Sequence, residues 1–384
     1  MKKVFIFIIL IVLIVFGSYM YFNYIDKNNS IEKINDKVKI NKVVYKDVKD
    51  SIFKKYYNKA YNDMEKMSIE EKIGQLFMVR YDSGMTTDYS NYNPGGYVLF
   101  SKDIDNQTKD SLKSELSSIT SKTPLAFAVD EEGGFVTRVS RNPNFRSERF
   151  ASPKTYFDQG GYDLLKEMEK EKAELLLSVG INVNFAPVAD VSTNPDDFIY
   201  NRSFGHNAEE TSEFIKNMVS YANDSKITSC LKHFPGYGNN KDTHTGSAYD
   251  DREYGVFTTS DYLPFEAGIK EKVPMIMFSH NIISSVDPEN PASLSSKMHE
   301  ELRDKLGFSG IIITDDLAMS AIKDNYTDGA VRAVNSNNDL IITSDFINDF
   351  NKVLDAYNNK LIDENIINKA VVRIIAWKYS YDII

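Results

Sequence analysis

Along the chain an unbroken apolar head gives way to a polar stretch and then to a long body in which short apolar runs recur. Lys2 and Lys3 precede a run from Val4 to Phe16 that continues through Gly17 and Ser18 to Phe22. That is enough to cross a hydrocarbon core of roughly 30 Å as a helix. Tyr19, Met20, Tyr21 and Phe22 make a poor signal-peptidase site, and no cysteine follows to carry a lipid. Residues 1–24 are therefore predicted to be an uncleaved membrane anchor. Positive charge ahead of the run places the body outside the cell. A cleaved signal peptide with secretion is the alternative. Residues 25–59, rich in Lys, Asp and Asn, read as a polar spacer, and the body is taken to begin at residue 60.

Within the body, short runs that are apolar or β-branched occur at 77–80, 97–100, 125–129, 181–185, 228–232, 275–278, 311–314 and 340–343. Short uninterrupted runs of this kind are what strands buried on both faces require. Helical periodicity lies between several of them. Ser68 with Glu71 has capping-box spacing and opens a short helix toward Leu76. Leu164, Leu165, Met168, Leu175, Leu176 and Val179 give one apolar face, with Gly180 placed to end the helix. Residues 211–223 and 295–306 read as helices, and the chain closes on Ile366, Ala370, Ile374 and Trp377 at helical spacing. Eight strands alternating with helices predict an α/β fold, a single (β/α)8 TIM-type barrel, with an open doubly wound sheet as the alternative.

Composition narrows the function. A formal charge of −10 leaves no basic face for nucleic acid. Cys230 is the only cysteine, so no intrachain disulfide can form. The five histidines include no His-Glu-x-x-His spacing, so no metal site is expected. A P-loop and a Gly-x-Ser-x-Gly elbow are both missing, which excludes the usual nucleotide and serine-hydrolase chemistries, and no cofactor is called for.

In a barrel of this type the chemistry sits where strands end and the following loops begin. Here the third run leads into Asp130-Glu131-Glu132-Gly133-Gly134 and the fourth into Asp190. The fifth ends in Lys232 and His233, the sixth in His280, and the seventh in Asp315 and Asp316. Charges placed directly after buried strands are costly unless they serve a ligand or one another. Glycoside hydrolysis needs a carboxylate at the developing cation and an acid for the leaving oxygen. Asp315 suits the first role. His244 suits the second, with Asp242 two residues earlier to orient the imidazole.

Taken in order, these stretches resemble glycoside hydrolase family 3, in its β-N-acetylhexosaminidase branch. The matching segments are 71–76, 130–134, 184–190, 201–205, 232–236, 291–295 and 314–319, spread over the body from Met67 to Trp377. The resemblance implies a retaining mechanism on a barrel, with Asp315 as nucleophile and Asp242 with His244 as a mobile acid/base pair. It also implies that Asp130, Arg202, Lys232 and His233 hold the sugar hydroxyls, with His280 lining the same pocket and Asp316 structural. Because the chain ends after the barrel, the acid is expected from a barrel loop, which points to N-acetylglucosamine and to peptidoglycan fragments as substrate. Tyr237 stands where the branch usually has histidine, and Phe135 where it usually has arginine. The small residues usual before the last strand are replaced by Asn335-Ser336-Asn337-Asn338. Two other functions fit the same residues: a phosphorylase, since a histidine acid carries no fixed charge to repel phosphate, and a surface sugar-binding protein without turnover.

Overall fold

The apolar runs of the body become strands whose side chains are buried on both faces. The computed structural model describes residues 51–384. The barrel strands are β1 (Phe77–Arg80), β2 (Gly96–Val98), β3 (Ala126–Val129), β4 (Val183–Asn184) and β5 (Thr228–Phe234), then β7 (Met275–Phe278), β9 (Ile311–Thr314) and β10 (Ile341–Thr343). Two further strands, β6 (Ala248–Asp250) and β8 (Asn281–Ile283), pair only with each other. All pairings are parallel, in the order β10-β1-β2-β3-β4-β5-β7-β9. A parallel bridge between Ile313 and Leu340 joins the two ends, with the Leu340 amide donating to the Ile312 carbonyl at 3.0 Å. The sheet is thus a nearly closed eight-stranded parallel barrel of the TIM type. An open doubly wound sheet would leave β9 and β10 as separate edges.

Local chemistry sets several boundaries. Ser68 Oγ accepts from the Glu71 amide and Glu71 accepts from the Ser68 amide, which completes a capping box for the helix Ile69–Gln75. The helix Pro153–Ser178 starts on Ser152 with proline in its first turn and bends at Gly160 and Gly161. Gly180, with φ of 88°, follows its end in the left-handed conformation that terminates helices. Residues 295–306 split into a short α-helix, Ser296–Glu300, and a wider π-turn, Glu301–Lys305. The asparagine-rich tract before β10 has a structural role. Asn337 takes φ of 72° beyond the helix Gly329–Asn335, and Asn338 Nδ2 donates to the carbonyls of Ala333 and Ser293, both at 2.8 Å.

The predicted anchor, 1–24, and the spacer as far as Asp50 lie outside the described residues. Among the described residues no helix is long and apolar enough to cross a membrane. Residues 51–59, read from sequence as the end of the spacer, fold onto the body. The helix Tyr57–Met64 packs on the closing helix Glu364–Ser380, and Phe53, Tyr57 and Ala60 are buried. That closing helix buries Trp377, whose Nε1 donates to Thr228 Oγ1 at 3.0 Å, and Lys378, whose Nζ donates to Gln75 Oε1 and the Pro124 carbonyl. Both contacts lie at the start of the strands, so the opposite, C-terminal rim is left to the loops that carry the polar clusters.

Candidate active site

A parallel strand directs its last residues into the loops of the C-terminal rim, and β3 and β5 do this with charges. Lys232, near the end of β5, donates its ammonium to Asp130 at 2.7 Å and to Glu132 at 2.6 Å. Arg202 grips the same Glu132 with two hydrogen bonds, at 2.7 and 3.1 Å. Burial alone would raise the Glu132 carboxyl, but the Lys232 and Arg202 cations outweigh it and hold it well below the ordinary carboxylate range. His233 is fixed from both sides, by Asp190 on Nδ1 at 2.8 Å and by Arg202 on Nε2 at 3.2 Å. An arginine can only donate, so Nε2 is the accepting nitrogen and Nδ1 carries the proton toward Asp190. Asp130 and Glu132 thus balance the charges of Lys232 and Arg202, and Asp190 completes the cradle by holding the neutral His233 ring. The peptides after Ala186, Lys232 and Phe234 are cis.

Asp315 follows β9, two strands on from β5 around the mouth. Its amide donates to the Phe278 carbonyl at 3.0 Å, and its Oδ1 accepts from the Asp316 amide at 2.8 Å. Burial raises this carboxyl, yet the neighbouring His280 and His233 rings and the Asp316 amide outweigh that and hold it below the ordinary value. Asp315 is therefore an anion throughout the neutral range. Asp316, beside it, is raised by burial and accepts from the Ala318 amide and the Ser344 hydroxyl.

The third component is the loop after β5. Asp242 Oδ1 meets His244 Nδ1 at 2.6 Å and also accepts the His244 amide at 2.9 Å. The imidazole is exposed, so one nitrogen is held by a carboxylate while the other faces the open side. Thr243, between them, is buried and shares a 2.6 Å hydrogen bond with the Tyr237 hydroxyl.

Asp130, Arg202, Lys232, His233, Asp242, His244 and Asp315 all line a single cavity of about 590 Å³. His280 does not line it. That ring is buried, with Nδ1 on Ser293 Oγ at 2.7 Å and Nε2 on the Asp316 carbonyl at 3.0 Å, so both nitrogens are occupied by protein. The expectation that His280 lines the pocket is corrected accordingly: its place is behind Asp315 and Asp316, and burial lowers its basicity. Glu132 and Asp190 are central to the cradle, although sequence reasoning singled them out only as charges in the strand-end clusters. Their task is to hold Arg202, Lys232 and His233, a partnership invisible without coordinates. Arg138, 3.5 Å from Asp130, and Phe198 also line the cavity without having been anticipated. Phe135, by contrast, is 74% exposed at the tip of the turn after β3. Among the described residues no group of His, Cys, Asp and Glu is placed to hold a metal ion.

Comparison with known proteins identifies the family of the chain. Residues 68–377 match the glycosyl hydrolase family 3 N-terminal domain. β-Hexosaminidase A of Pseudoalteromonas piscicida is 33% identical over 276 residues, covering 66% of this chain and 46% of that protein. The β-hexosaminidase of Nitrosomonas eutropha is 32% identical over 239 residues, covering 60% and 67% of the two chains. The solved structure of a family 3 β-N-acetylglucosaminidase from Paenibacillus sp. str. FPU-7 superposes with a TM-score of 0.77 at 26% identity, covering 83% of this chain and 63% of that one. This chain thus spans about half of the first relative's length and about two thirds of the others'. On the match from residue 68 to residue 377, the chain belongs to glycoside hydrolase family 3.

Proposed function

We propose that the chain is a retaining β-N-acetylhexosaminidase that removes terminal β-linked N-acetylglucosamine. The observation that carries this reading is the pairing, in one cavity, of a carboxylate held ionised with an imidazole backed by a second carboxylate. Asp315 attacks the anomeric carbon and forms a glycosyl ester as the glycosidic C–O bond breaks. His244, protonated on both nitrogens at that moment and stabilised by Asp242, passes its outward proton to the leaving oxygen. In the second half-reaction the neutral imidazole takes a proton from water, which displaces Asp315 from the sugar. Asp130, Arg202, Lys232 and His233 bind the hydroxyls of the terminal sugar that Asp315 attacks, while His280 and Asp316 keep Asp315 in place. The names of the Pseudoalteromonas, Nitrosomonas and Paenibacillus relatives support the sugar specificity. Peptidoglycan fragments as substrate, met at the outer face of a membrane anchored through residues 1–24, complete the proposal.

The test compares chromogenic β-N-acetylglucosaminide and β-glucoside hydrolysis by the full-length chain and by Asp315→Ala. Cleavage of the first substrate alone, abolished in the variant while the sugar still binds, is expected. Preference for glucose would overturn the substrate, and undiminished turnover by Asp315→Ala would overturn the nucleophile. Phosphate-dependent release of a sugar 1-phosphate would make the same site a phosphorylase. Binding without cleavage by the native chain would make it a sugar receptor.

A further inference from the structure

We propose that Tyr237 is a positioning residue for the acid/base pair, acting through a hydrogen bond between its hydroxyl and that of Thr243 that sets where His244 stands over the cavity. The inference rests on the glycosidase reading above.

Of the nine residues from Asn239 to Ser247, Thr243 alone is fully buried. The residues on either side, Asp242 and His244, bond to one another, and the turn closes on itself through Thr245, whose amide and hydroxyl donate to the Asp242 carbonyl. A turn that satisfies itself in this way has its internal shape fixed but not its position on the barrel. Gly238, just before the segment, and Gly246, near its end, take φ of 51° and 150°, conformations that other residues rarely adopt. Position must come from the contacts that leave the turn. Three further bonds do so: the Asn240 amide to the Tyr237 carbonyl, the Ala321 amide to the Thr243 carbonyl at 3.3 Å, and Asn325 Nδ2 to Ser247 Oγ at 3.3 Å. The last is exposed and the second is long. The bond between Tyr237 and Thr243 is both buried and short, at 2.6 Å.

Tyr237 is itself held by several contacts. Its amide donates to Asp190 Oδ1 at 2.8 Å, its ring packs edge-on to His233 at 5.0 Å, and it is buried with Val188 and Ile199. Asp190 is the carboxylate that orients His233, so one rigid group carries both the sugar-binding imidazole and the anchor of the acid. Burial, reinforced by the Asp315 charge, pushes the phenol up, so the hydroxyl keeps its proton.

The experiment uses Tyr237→Phe and Thr243→Val, each of which deletes the bond while keeping shape, and Thr243→Ser, which keeps the hydroxyl. Each is assayed in the full-length chain for kcat/KM on a 2,4-dinitrophenyl β-N-acetylglucosaminide, whose leaving group needs no proton, and on the β-1,4 disaccharide of N-acetylglucosamine, whose leaving group does. A lost buried hydrogen bond that misplaces the acid is expected to cost about tenfold on the disaccharide and less than about twofold on the aryl substrate. Thr243→Ser should match the native chain. The double variant Tyr237→Phe with Thr243→Val should be no worse than either single one, because both remove the same bond. Equal losses on the two substrates, no loss on the disaccharide, or additive losses in the double variant would each overturn the proposal. A native chain that cleaves neither substrate would overturn the glycosidase reading itself, and this inference with it.

Discussion

Replacing Glu132 with glutamine removes one negative charge from the most enclosed corner of the site while keeping its shape. In the native chain the carboxylate holds Lys232 at 2.6 Å and Arg202 at 2.7 and 3.1 Å. The amide retains one acceptor but turns an NH2 toward a cation. Breaking a buried ion pair from one side costs about 3–5 kcal/mol. Here Asp130 still holds Lys232 at 2.7 Å, and the Arg202 side chain is 18% exposed and partly solvated. The expected loss is therefore smaller, about 2–3 kcal/mol, or roughly 3–4 °C in the unfolding midpoint. The loss depends on pH in a defined direction. Because the folded state lowers this carboxyl below its unfolded value near ~4.3, its stabilisation is complete above that pH and disappears as pH falls toward the folded value. Denaturant unfolding of the native and Glu132→Gln chains should show the full gap at pH 7 and a narrowing gap only below about pH 4.3. No gap at pH 7, or a gap that persists unchanged in acid, would mean that Glu132 is not the charged centre of the cradle.

Two further outcomes follow from the same coordinates. His244→Ala should lower kcat/KM on the disaccharide by about 10²–10⁴ and on the dinitrophenyl substrate far less; comparable losses would remove His244 from the acid role. Lys378, buried against neutral oxygens only, is pushed down by burial to about 7. The unfolded chain then binds more protons between pH ~7 and ~10, so native stability should rise over that range by about 4 kcal/mol relative to Lys378→Met, at about 1.4 kcal/mol per pH unit. Parallel pH profiles of the two chains in denaturant melts would refute this.

The barrel was legible because both faces of its strands are buried, so runs such as Met275–Phe278 and Ile311–Thr314 contain no polar interruption. Boundaries were less so. β4 keeps only two paired residues of the expected five, and β5 runs on to Phe234 because Lys232 and His233 find partners inside the barrel mouth. Helices such as Lys109–Ser118 and Phe346–Asn358 went unread. The first buries only Leu112 and Leu116, too few positions to set a period. The second follows Asp345, which makes no capping bond. In the site, Asp315, His244 and Lys232 carried recognisable chemistry, whereas Arg138 and Phe198 face the cavity without a signal in the sequence, and Glu132, Asp190, Ser293 and Thr243 are ordinary residues made important by their neighbours. His280 shows the limit from the other side. Its strand-end position suggested the pocket, but a serine and a carbonyl far along the chain claim both nitrogens.

Trp377 is the single tryptophan of the chain, and its indole is fully buried and bonded to the first residue of β5. Its fluorescence therefore has one source, at the end of the barrel remote from the C-terminal rim. An emission spectrum shifted to the red reports water entering between the closing helix and the strands, and nothing about sugar bound among the loops. Each variant considered above thus comes with an internal optical gauge of whether the barrel is intact, readable in the same cuvette as the turnover it is meant to explain.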